Sequence, residues 1–310
     1  SNLLGELERH GIDASQEVYP RTAADKLRVL AGCRRYDAVV VQKKLPSPFD
    51  CALLRTVCRR LVYDFDDAVH LRHDSAAQPC SRTRERRFAR IVRAADVVIA
   101  GNDILADFAR PYNRSVVVVP SSVETRGVPM HRYGLGSDRI VLGWVGGEIN
   151  LSHLSGILPA LRELARELVF ELRILSSRAI RADGVCIRHV PWALETQERE
   201  VAAFDIGLMP LPDSEHAAGK CGYKALQYMA AAVPPVVSDV GVNRDIVQDG
   251  VNGLVVGRVD DFAPALQFLM RDPHQRERMG RAARRRVEAF YSVQKVAAYL
   301  AEVLRASDWL

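Results

Sequence analysis

The sequence has no long apolar run, and its first residues do not show the pattern of a signal peptide. The longest apolar stretches, residues 116–120 and 233–237, are far shorter than the roughly 20 residues that a membrane-spanning helix needs. We therefore expect a cytoplasmic protein that does not cross a membrane. With 310 residues, 48% of them apolar and 26% charged, the chain is long enough for two domains and shows no sign of disorder or of a fibrous repeat.

The cysteines also lack the spacing of a disulfide or metal-binding motif. The six cysteines form no CxxC pair and have no His/Cys ligand spacing, so neither a disulfide framework nor a structural zinc site is expected. The sequence likewise has no GxGxxG turn followed by a ribose-binding acid, which disfavours a dinucleotide-dependent oxidoreductase. Most of the cysteines are expected to be reduced residues of the core.

Positive charge is in excess, and it is concentrated locally. The net charge is +5, and two predicted helices are rich in arginine. The residues concerned are Arg82, Arg84, Arg86, Arg87, Arg90 and Arg93 in one helix and Arg281, Arg284, Arg285 and Arg286 in the other. They form either solvated helix faces or a surface for anionic lipid or a polyanionic partner, and the first helix is the candidate for peripheral membrane contact. Nucleic acid is disfavoured because aromatic residues do not alternate with these arginines.

Short β-branched runs alternate with longer helical patterns, which predicts βαβ units and parallel sheets. The runs form two sets, residues 38–42, 61–63, 97–100 and 115–119 in the first and residues 140–144, 171–175, 206–209 and 236–238 in the second. Residues 120–138 between the two sets are rich in Ser, Gly, Pro and Arg without a sustained period. This composition predicts a linker between two α/β domains.

The two ends of the chain are predicted to be helical. Residues 3–9 predict a helix and residues 12–18 a possible strand, so the sequence starts on a helix rather than on the strand that usually opens such a domain. Either a first strand is absent from this sequence or the fold begins differently. Residues 273–310 predict helix throughout, with apolar side chains available for packing.

Residues 219–241 are the most informative stretch. They combine a glycine-flanked helix start, an apolar helix face and a buried strand that ends in polar residues and glycine. An α/β enzyme can hold a phosphorylated ligand in this way, because the unpaired N–H groups and the dipole of a helix N-terminus attract an anion. Gly146 and Gly147, directly after another predicted strand, either let a phosphate or a sugar approach the backbone or form only a tight turn.

Together, several segments of the sequence resemble family 4 glycosyltransferases of the GT-B fold. They are residues 62–67, 97–102, 118–123, 143–147, 204–212, 219–241 and 249–254. The resemblance implies an α/β architecture of two Rossmann-like domains whose parallel sheets face each other across a cleft. The C-terminal domain, residues 123–287, then holds a nucleotide-sugar donor. The N-terminal domain, residues 1–122, holds the acceptor, and the last helix, from about residue 288 to residue 310, packs back onto it.

For the donor, the resemblance points to a helix that begins near Cys221. A leaving diphosphate gains negative charge, so positive charge and N–H groups aimed at it lower the barrier. Lys220 is the candidate point charge, with an exposed loop lysine as the alternative, and Gly222 and Tyr223 belong to the same helix start. Lys224 either flanks the same anion or faces solvent.

Two glutamates bracket this helix in the resembled family, and Gly219 and Gln227 stand in their places. Gln227 is able to hydrogen-bond a ribose, but less strongly than a carboxylate would. Asp213 and Glu215, upstream of Gly219, are either substitutes for the missing carboxylate or ordinary surface acids.

Other departures concern cations and packing. The arginine and lysine that the family has after the first donor-domain strand find no counterpart in residues 147–153, and Arg178 or Arg181 are candidates to replace them. Trp192 either stacks near the nucleobase or fills the core. Ala232 stands where related sequences have glycine, which indicates a different helix ending or mild strain.

On the acceptor side, Asp66 and Asp67 follow a predicted strand, where the cleft residues of an open α/β sheet lie. Either is a candidate to orient or deprotonate the acceptor hydroxyl; the alternative is a helix N-cap with first-turn acids. His70 and His73 are candidates for the family's acceptor-side histidine, with His70 preferred. Lys43, at another strand end, is expected to line the same side.

The sequence therefore predicts a glycosyltransferase that moves a sugar from a nucleotide-sugar donor to a carbohydrate, lipid-linked or small-molecule acceptor. The resemblance implies retention of anomeric configuration, no catalytic metal and no cofactor. Because both glutamates are missing, the alternative is a degenerate GT-B protein that acts as a binding or scaffold subunit. A sugar-nucleotide epimerase of the same architecture would need acidic and basic residues for which the sequence offers no candidates.

Overall fold

A computed structural model of the protein describes residues 3–20, 22–134 and 139–306. The chain divides into two compact units. The N-terminal unit consists of Ser1–Ser121, Ser214–Cys221 and Val296–Leu310, and the C-terminal unit consists of Ser122–Asp213 and Gly222–Lys295. The sequence predicts a division between residues 122 and 123 and assigns all of residues 123–287 to the C-terminal domain. The segment Ser214–Cys221 departs from that prediction, because it belongs to the N-terminal unit.

The helices and strands alternate along the chain. The first part contains α1 (Leu3–Arg9), α2 (Ala23–Gly32), β1 (Val39–Gln42), α3 (Pro48–Val57), β2 (Leu61–Phe65), α4 (Arg82–Ala94), β3 (Val97–Ala100), α5 (Asp103–Ala109) and β4 (Val116–Val118). The second part contains β5 (Ile140–Val145), α6 (Leu151–Gly156), α7 (Leu158–Glu167), β6 (Phe170–Ser176), β7 (Ile187–Pro191), α8 (Leu194–Ala202), β8 (Ile206–Met209), α9 (Glu215–Ala218), α10 (Tyr223–Ala230), β9 (Pro235–Ser238), α11 (Asn243–Ile246), β10 (Leu254–Val256), α12 (Phe262–Arg271), α13 (Pro273–Phe290) and α14 (Val293–Arg305).

The N-terminal unit is built on a four-stranded parallel sheet with the strand order β1-β2-β3-β4. In the middle of β2, Tyr63 pairs with Val41 on one side and with Val98 on the other. Successive side chains of a strand point to opposite faces of the sheet. Tyr63 and Phe65 belong to the main core, which also includes residues of α3, α4 and α5, whereas Val62 belongs to a second cluster. Both faces of the sheet are therefore covered, as is usual for a parallel sheet.

Helix α14 covers that second face. Val296 and Val303 pack in one cluster with Val62. The guanidinium of Arg60 donates to the carbonyl of Leu304 at 2.7 Å and to that of Ala306 at 2.8 Å. A cation at the C-terminal end of a helix also offsets the helix dipole. The helix joins the N-terminal unit from Val296 onward, later than the predicted residue 288, and residues 307–310 of the predicted helix lie outside the described residues.

The C-terminal unit is built on a six-stranded parallel sheet with the strand order β10-β9-β8-β5-β6-β7. The predicted α/β class with parallel sheets in two domains is thus confirmed. The set of eight predicted strands did not include β7 and β10, which are the two edge strands. β7 is largely half-buried or exposed and β10 has only three residues, so neither gives the continuous apolar run of a buried strand.

Two predicted elements are wrong. Residues 12–18 form no strand in the described structure, because this largely exposed stretch, which follows Gly11 with φ +73°, has no neighbouring strand to pair with. Residues 273–310 are not one helix, since α13 and α14 are separated at Tyr291 and Ser292. There, Val123 accepts the N–H of Val293 at 3.1 Å and donates its own N–H to Tyr291 at 2.9 Å. The carbonyl of Tyr291 and the N–H of Val293 are therefore bonded to Val123 and not to other residues of a continuous helix.

None of the helices in the described residues is both long enough and apolar enough to cross a membrane. Residues 135–138 of the predicted linker lie outside the described residues.

Candidate functional site

Tyr228 fixes helix α10 to the C-terminal sheet. The hydroxyl of this buried side chain donates to the carbonyl of Leu208 at 2.9 Å and accepts the N–H of Val145 at 3.2 Å. Its ring covers Gly207, where an added Cβ would lie 2.3 Å from a ring carbon. Burial raises the pKa of the Tyr228 phenol, so the group stays neutral. These contacts hold α10 beside the carboxyl end of β5.

The start of α10 depends on Gly222. This residue has φ +67°, and an added Cβ would lie 2.2 Å from Cδ1 of Ile246, so both conformation and space require glycine. The helix begins at Tyr223, two residues later than the predicted start near Cys221. No side chain caps it, and the N–H groups of a first helical turn have no partner within the helix. The helix start is therefore suited to an anion.

Gly146, the first residue after β5, lies against Trp144 and Lys224. An added Cβ on Gly146 would be 2.6 Å from Cη2 of Trp144 and 2.9 Å from Cε of Lys224. The Nζ of Lys224 is 5.6 Å from the centre of the Trp144 ring. At Gly147, in contrast, an added Cβ would meet no atom within 4 Å. The predicted glycine turn and the start of α10 thus come together around Lys224.

Lys224 is a cation at a position that favours anion binding. A lysine in the first turn opposes the helix dipole, and a bound anion would neutralise both the lysine and the helix end. Arg178, a predicted alternative, instead forms an exposed ion pair with Glu148 at 3.0 Å. Arg181 is exposed. The sequence left the role of Lys224 open, and the structure brings this residue to the glycine turn.

Tyr223 and Gln227 line a groove that also borders helix α8. Gln197 and Glu198 of α8 are among the polar residues that line this groove. The indole N–H of Trp192 donates to Oε1 of Gln197 at 2.6 Å. Trp192 is 49% exposed, so the interpretation of this residue as a core side chain is wrong. Gln197 thus contacts Trp192 and lines the same groove as Gln227.

In the N-terminal unit, Lys43 joins Asp66 and Asp67 at the carboxyl ends of β1 and β2. Its Nζ forms an ion pair with Asp66 and lies 3.6 Å from Oδ2 of Asp67. Lys43 has φ +55°, a left-handed conformation that is costly for a residue with a side chain. Its N–H donates to the carbonyl of Asp64 at 2.8 Å, which holds the backbone in place. Strain of this kind is often found at functional sites.

The two aspartates are accessible. The side chain of Asp66 is 35% exposed and that of Asp67 is 47% exposed. In the described part of the chain, the first helix after them is α4, which begins at Arg82. The interpretation of these acids as a helix N-cap is therefore wrong. Asp64 lies on β2 itself, and burial raises the pKa of its carboxyl group. Its carboxylate accepts a hydrogen bond from the Gln42 amide at 2.7 Å.

His70, predicted to lie on the acceptor side, is a core residue. Its ring is 4.4 Å from that of Phe108 and 5.1 Å from that of Phe88, measured between centres. Neither ring nitrogen has a hydrogen-bond partner among the described residues. Burial, with a smaller contribution from Arg84 and His216, lowers the pKa of His70 to about 4. The imidazole is therefore neutral at pH 7.

Ser214–Cys221 belongs to the N-terminal unit, and we call this segment the strap. Near its start, Ser214 Oγ donates to Asp74 at 2.5 Å and His216 Nδ1 lies 3.3 Å from the same carboxylate. Cys221, at its end, is part of the main core of this unit. Lys220 and Cys221, predicted to bind the donor, thus lie in the N-terminal unit, whereas Tyr223 lies in the C-terminal unit.

Close packing explains why residue 219 is glycine. An added Cβ on Gly219 would lie 2.9 Å from Cβ of Ala68 and 3.1 Å from Cδ2 of Leu105. A glutamate at this position would displace the strap from the N-terminal unit. Asp213 is exposed and precedes the strap, and Glu215 is an exposed residue of α9 within it.

Known proteins match part of this chain in sequence. Residues 213–286 match the family described as glycosyl transferases group 1. D-inositol 3-phosphate glycosyltransferase from Kribbella flavida is 44% identical over 71 residues, which are 22% of this chain and 17% of that protein. The chain therefore matches only about a sixth of the length of this relative. The family match likewise covers only part of this chain.

Solved structures match most of the chain in fold. Sucrose-phosphate synthase from Thermosynechococcus elongatus is similar with a TM-score of 0.73 and 16% identity, over 90% of this chain and 75% of that one. HepE from Anabaena, solved with UDP-glucose, is similar with a TM-score of 0.70 and 14% identity, over 96% of this chain and 87% of that one. At this level of identity the likeness shows the fold, which is that of the GT-B glycosyltransferases.

The sequence did not single out Trp144, Gln197 or Asn102, which contribute to these clusters. Trp144 lies near the carboxyl end of β5, and Asn102 lies just after that of β3. Because the cleft residues of an open α/β sheet lie at these strand ends, both could have been predicted in the same way as Asp66. Gln197 lies within a helix and could be found only from the fold.

Proposed function

We propose that this protein is a family 4 glycosyltransferase. It transfers a sugar from a nucleotide-sugar donor to a hydroxyl of a carbohydrate, lipid-linked or small-molecule acceptor. The observation that carries the proposal is the meeting of Gly146, Trp144 and Lys224 at the start of α10. This cluster lies in the unit that contains most of the segment matched by the group 1 family. The similarity to HepE, solved with UDP-glucose, supports a nucleoside diphosphate sugar as donor.

The start of α10 holds the donor diphosphate in this proposal. Departure of the nucleotide leaves negative charge on the diphosphate, and the N–H groups of the first turn and Lys224 stabilise that charge. Lys220 and Cys221, which directly precede Gly222 in the chain, contribute a second cation and a backbone turn. Gly147 leaves space for a phosphate or a sugar, since an added Cβ at this residue would meet no atom within 4 Å.

The groove beside α10 holds the nucleoside. The amide of Gln227 hydrogen-bonds the ribose and the phenol of Tyr223 lies beside it, while the exposed face of Trp192 stacks on the base. Gln197 fixes the indole through its 2.6 Å hydrogen bond, so the stacking surface is preorganised. A neutral amide at position 227 gives a weaker ribose contact than a carboxylate would.

Asp66 or Asp67 orients the acceptor and takes its proton. A carboxylate that accepts the proton of a hydroxyl makes the oxygen a better nucleophile. Lys43 contacts both carboxylates and holds them side by side at the strand ends. Retention of configuration and independence of metal are proposed from the family that the sequence resembles.

A nucleotide screen tests the donor half of the proposal. UDP, GDP, ADP and their sugars are each added to the protein, and the melting temperature is recorded. A ligand at about 100 times its Kd adds about 2.7 kcal/mol to the free energy of unfolding, which raises the melting temperature by several degrees. No change with any of these ligands would contradict the proposal.

A degenerate GT-B binding subunit is the second candidate. It is favoured by Gly219, which has no room for the carboxylate that the resembled family carries, and by Gln227. Such a protein would bind a nucleotide sugar without transferring it. Sugar transfer to any acceptor above the rate of donor hydrolysis rules this candidate out.

We also propose that helix α4 contacts an anionic membrane surface. Arg82, Arg86, Arg87 and Arg90 are exposed and have no acidic partner among the described residues, while the opposite face packs into the core. Each basic residue near an anionic bilayer contributes about 1 kcal/mol. Binding to vesicles that contain anionic lipid is expected to weaken in the double variant R86Q/R90Q. It should persist in R281Q/R285Q, a control with the same i, i+4 spacing on α13. Equal binding to neutral vesicles would contradict this proposal.

A further inference from the structure

The strap is held at two points, and the second of them is Asn102. Asn102 is buried and is the N-cap residue of α5. Its Oδ1 accepts the N–H of Leu105 at 2.8 Å. This bond fixes the orientation of the side-chain amide, because the N–H of Leu105 needs an acceptor. The Nδ2 group must therefore point away from α5.

The Nδ2 group of Asn102 faces the end of the strap. It lies 3.3 Å from the carbonyl oxygen of Gly219, 3.4 Å from that of Lys220 and 3.4 Å from Sγ of Cys221. A single side-chain amide thus holds the backbone on both sides of the Lys220 Cα. Burial of Cys221 raises the pKa of its thiol to about 12, so the thiol is neutral and unreactive while the strap is bound.

Close packing adds to these hydrogen bonds. Sγ of Cys221 would be 2.4 Å from a Cβ on Gly101, the residue before Asn102. Gly219 fits against Ala68 and Leu105 without space for a side chain. Lys220 lies between these two buried residues and is itself half-buried. The position of its Cα is therefore determined by Asn102 and the packing around it.

We propose that Asn102 is a positioning residue that orients Lys220 toward the diphosphate of the donor. The inference rests on the proposed function, in which Lys220 is a diphosphate cation. Asn102 does not touch the ligand. It fixes the backbone from which Lys220 projects, so that less conformational entropy is lost when the lysine binds the anion.

Substitution of Asn102 by aspartate separates the two roles of this residue. Aspartate is a good N-cap, so the bond to Leu105 is retained. It has no N–H group, and its charge repels the carbonyls of Gly219 and Lys220. Asn102→Ser, which also keeps a capping oxygen but adds no charge, is a second variant in case Asn102→Asp does not fold.

Asn113 offers a matched control in the same unit. Its Nδ2 donates to the carbonyls of Val92 and Ala95, each at 2.7 Å, and its Oδ1 accepts the N–H of Ser115 at 2.8 Å. Asn113→Asp therefore removes an amide donor from buried carbonyls while leaving the strap intact. Any effect of lost stability alone appears in both variants.

The first readout is the alkylation rate of Cys221, followed by mass spectrometry of the peptide that contains it. Release of the strap exposes the thiol, so Asn102→Asp is expected to raise this rate about tenfold, which corresponds to the loss of one net hydrogen bond. Asn113→Asp should leave it unchanged. An unchanged rate in Asn102→Asp and Asn102→Ser would overturn the anchoring role of Asn102.

The second readout is affinity, with whichever of UDP, GDP or ADP binds most tightly and with the matching nucleoside. Asn102→Asp is expected to weaken binding of the diphosphate about tenfold, as for one lost charge-assisted contact, and to leave nucleoside binding unchanged. It should have little further effect in a protein that already carries Lys220→Ala, because the two substitutions remove the same contact.

The outcomes separate this inference from the proposed function. If the wild-type protein binds no nucleotide, the proposed function and this inference both fail. If it binds nucleotide and Asn102→Asp binds it equally well, only this inference fails. Equal weakening of nucleoside and diphosphate, or full additivity with Lys220→Ala, would also overturn it, since either result means that Asn102 acts on the fold as a whole.

Discussion

Gly219 packs against Ala68 so closely that a Cβ at position 219 would lie 2.9 Å from the Cβ of Ala68. This contact accounts for the glycine at a position where the resembled family has a glutamate. The missing carboxylate is therefore a consequence of how the strap is bound in the N-terminal unit. Restoring the family residue should not restore the family's chemistry.

Gly219→Glu is expected to destabilise the protein by about 1–3 kcal/mol, the usual cost of forcing extra atoms into a packed site. Sugar transfer should not increase. Gly257→Glu is the control, because an added Cβ at Gly257 meets no atom within 4 Å. Urea titration of both variants gives their free energies of unfolding. A Gly219→Glu protein that is as stable as the wild type and more active would show that residue 219 is not tightly packed against Ala68.

Lys43→Gly should raise stability and lower activity. Glycine adopts φ +55° without the cost that lysine incurs, which is worth about 1 kcal/mol. The same change removes the ammonium group that contacts Asp66 and Asp67, so kcat/KM for the acceptor is expected to fall at least about tenfold. Lys44→Gly, at the neighbouring exposed lysine, is the control. A Lys43→Gly protein with unchanged kcat/KM would exclude Lys43 from the acceptor site.

Ala232 carries the left-handed conformation that the sequence suggested, with φ +57°. Ala232→Gly relieves that conformation but loses a buried methyl group, whereas Ala231→Gly, where φ is −87°, only loses one. We expect Ala232→Gly to be the more stable of the two variants by about 1–2 kcal/mol. Chemical denaturation of both proteins checks this, and equal stabilities would mean that Ala232 is not strained.

Stability should fall in mild acid because of His70. The pKa of His70 is lowered from 6.5 to about 4 in the folded protein. Between these values the unfolded chain binds a proton that the folded protein does not, so the free energy of unfolding falls as the pH falls from about 6.5 to about 4. His70→Phe should flatten this dependence, whereas His274→Phe, at an exposed site, should not. An unchanged pH dependence in His70→Phe would show that His70 is protonated in the folded state.

The fold could be predicted where local pattern and tertiary environment agree. Six of the eight predicted strands have a neighbouring strand on both sides, and the two edge strands among them, β1 and β4, are short runs of valine, so all eight are visible in the sequence as apolar runs. Residues 12–18 have the composition of a strand but no partner in the described structure. The interruption of helix at Tyr291 and Ser292 depends on Val123, which is distant in sequence, and no local pattern contains that information.

The candidate site divides in the same way. Gly146 and Gly222 could be predicted because a glycine turn and a helix start have a local signature, and Gln227 because its segment resembles a known family. The roles of Lys224 and Asn102 could not, because they follow from contacts between segments that are far apart in the chain. The assignment of the strap to the N-terminal unit likewise depends on contacts with Asp74 and Asn102, residues that are distant from the strap in the sequence.

Calorimetric titration of Lys224→Ala with the tightest-binding nucleoside diphosphate tests the central claim most directly. Lys295→Ala, which removes an exposed lysine of the same unit, is the control. The account predicts that Lys224→Ala binds the diphosphate at least about tenfold more weakly than the wild-type protein does, because a charge-assisted contact is lost. Lys295→Ala should bind it normally. Equal affinity of Lys224→Ala and the wild-type protein would contradict a diphosphate site at the start of α10.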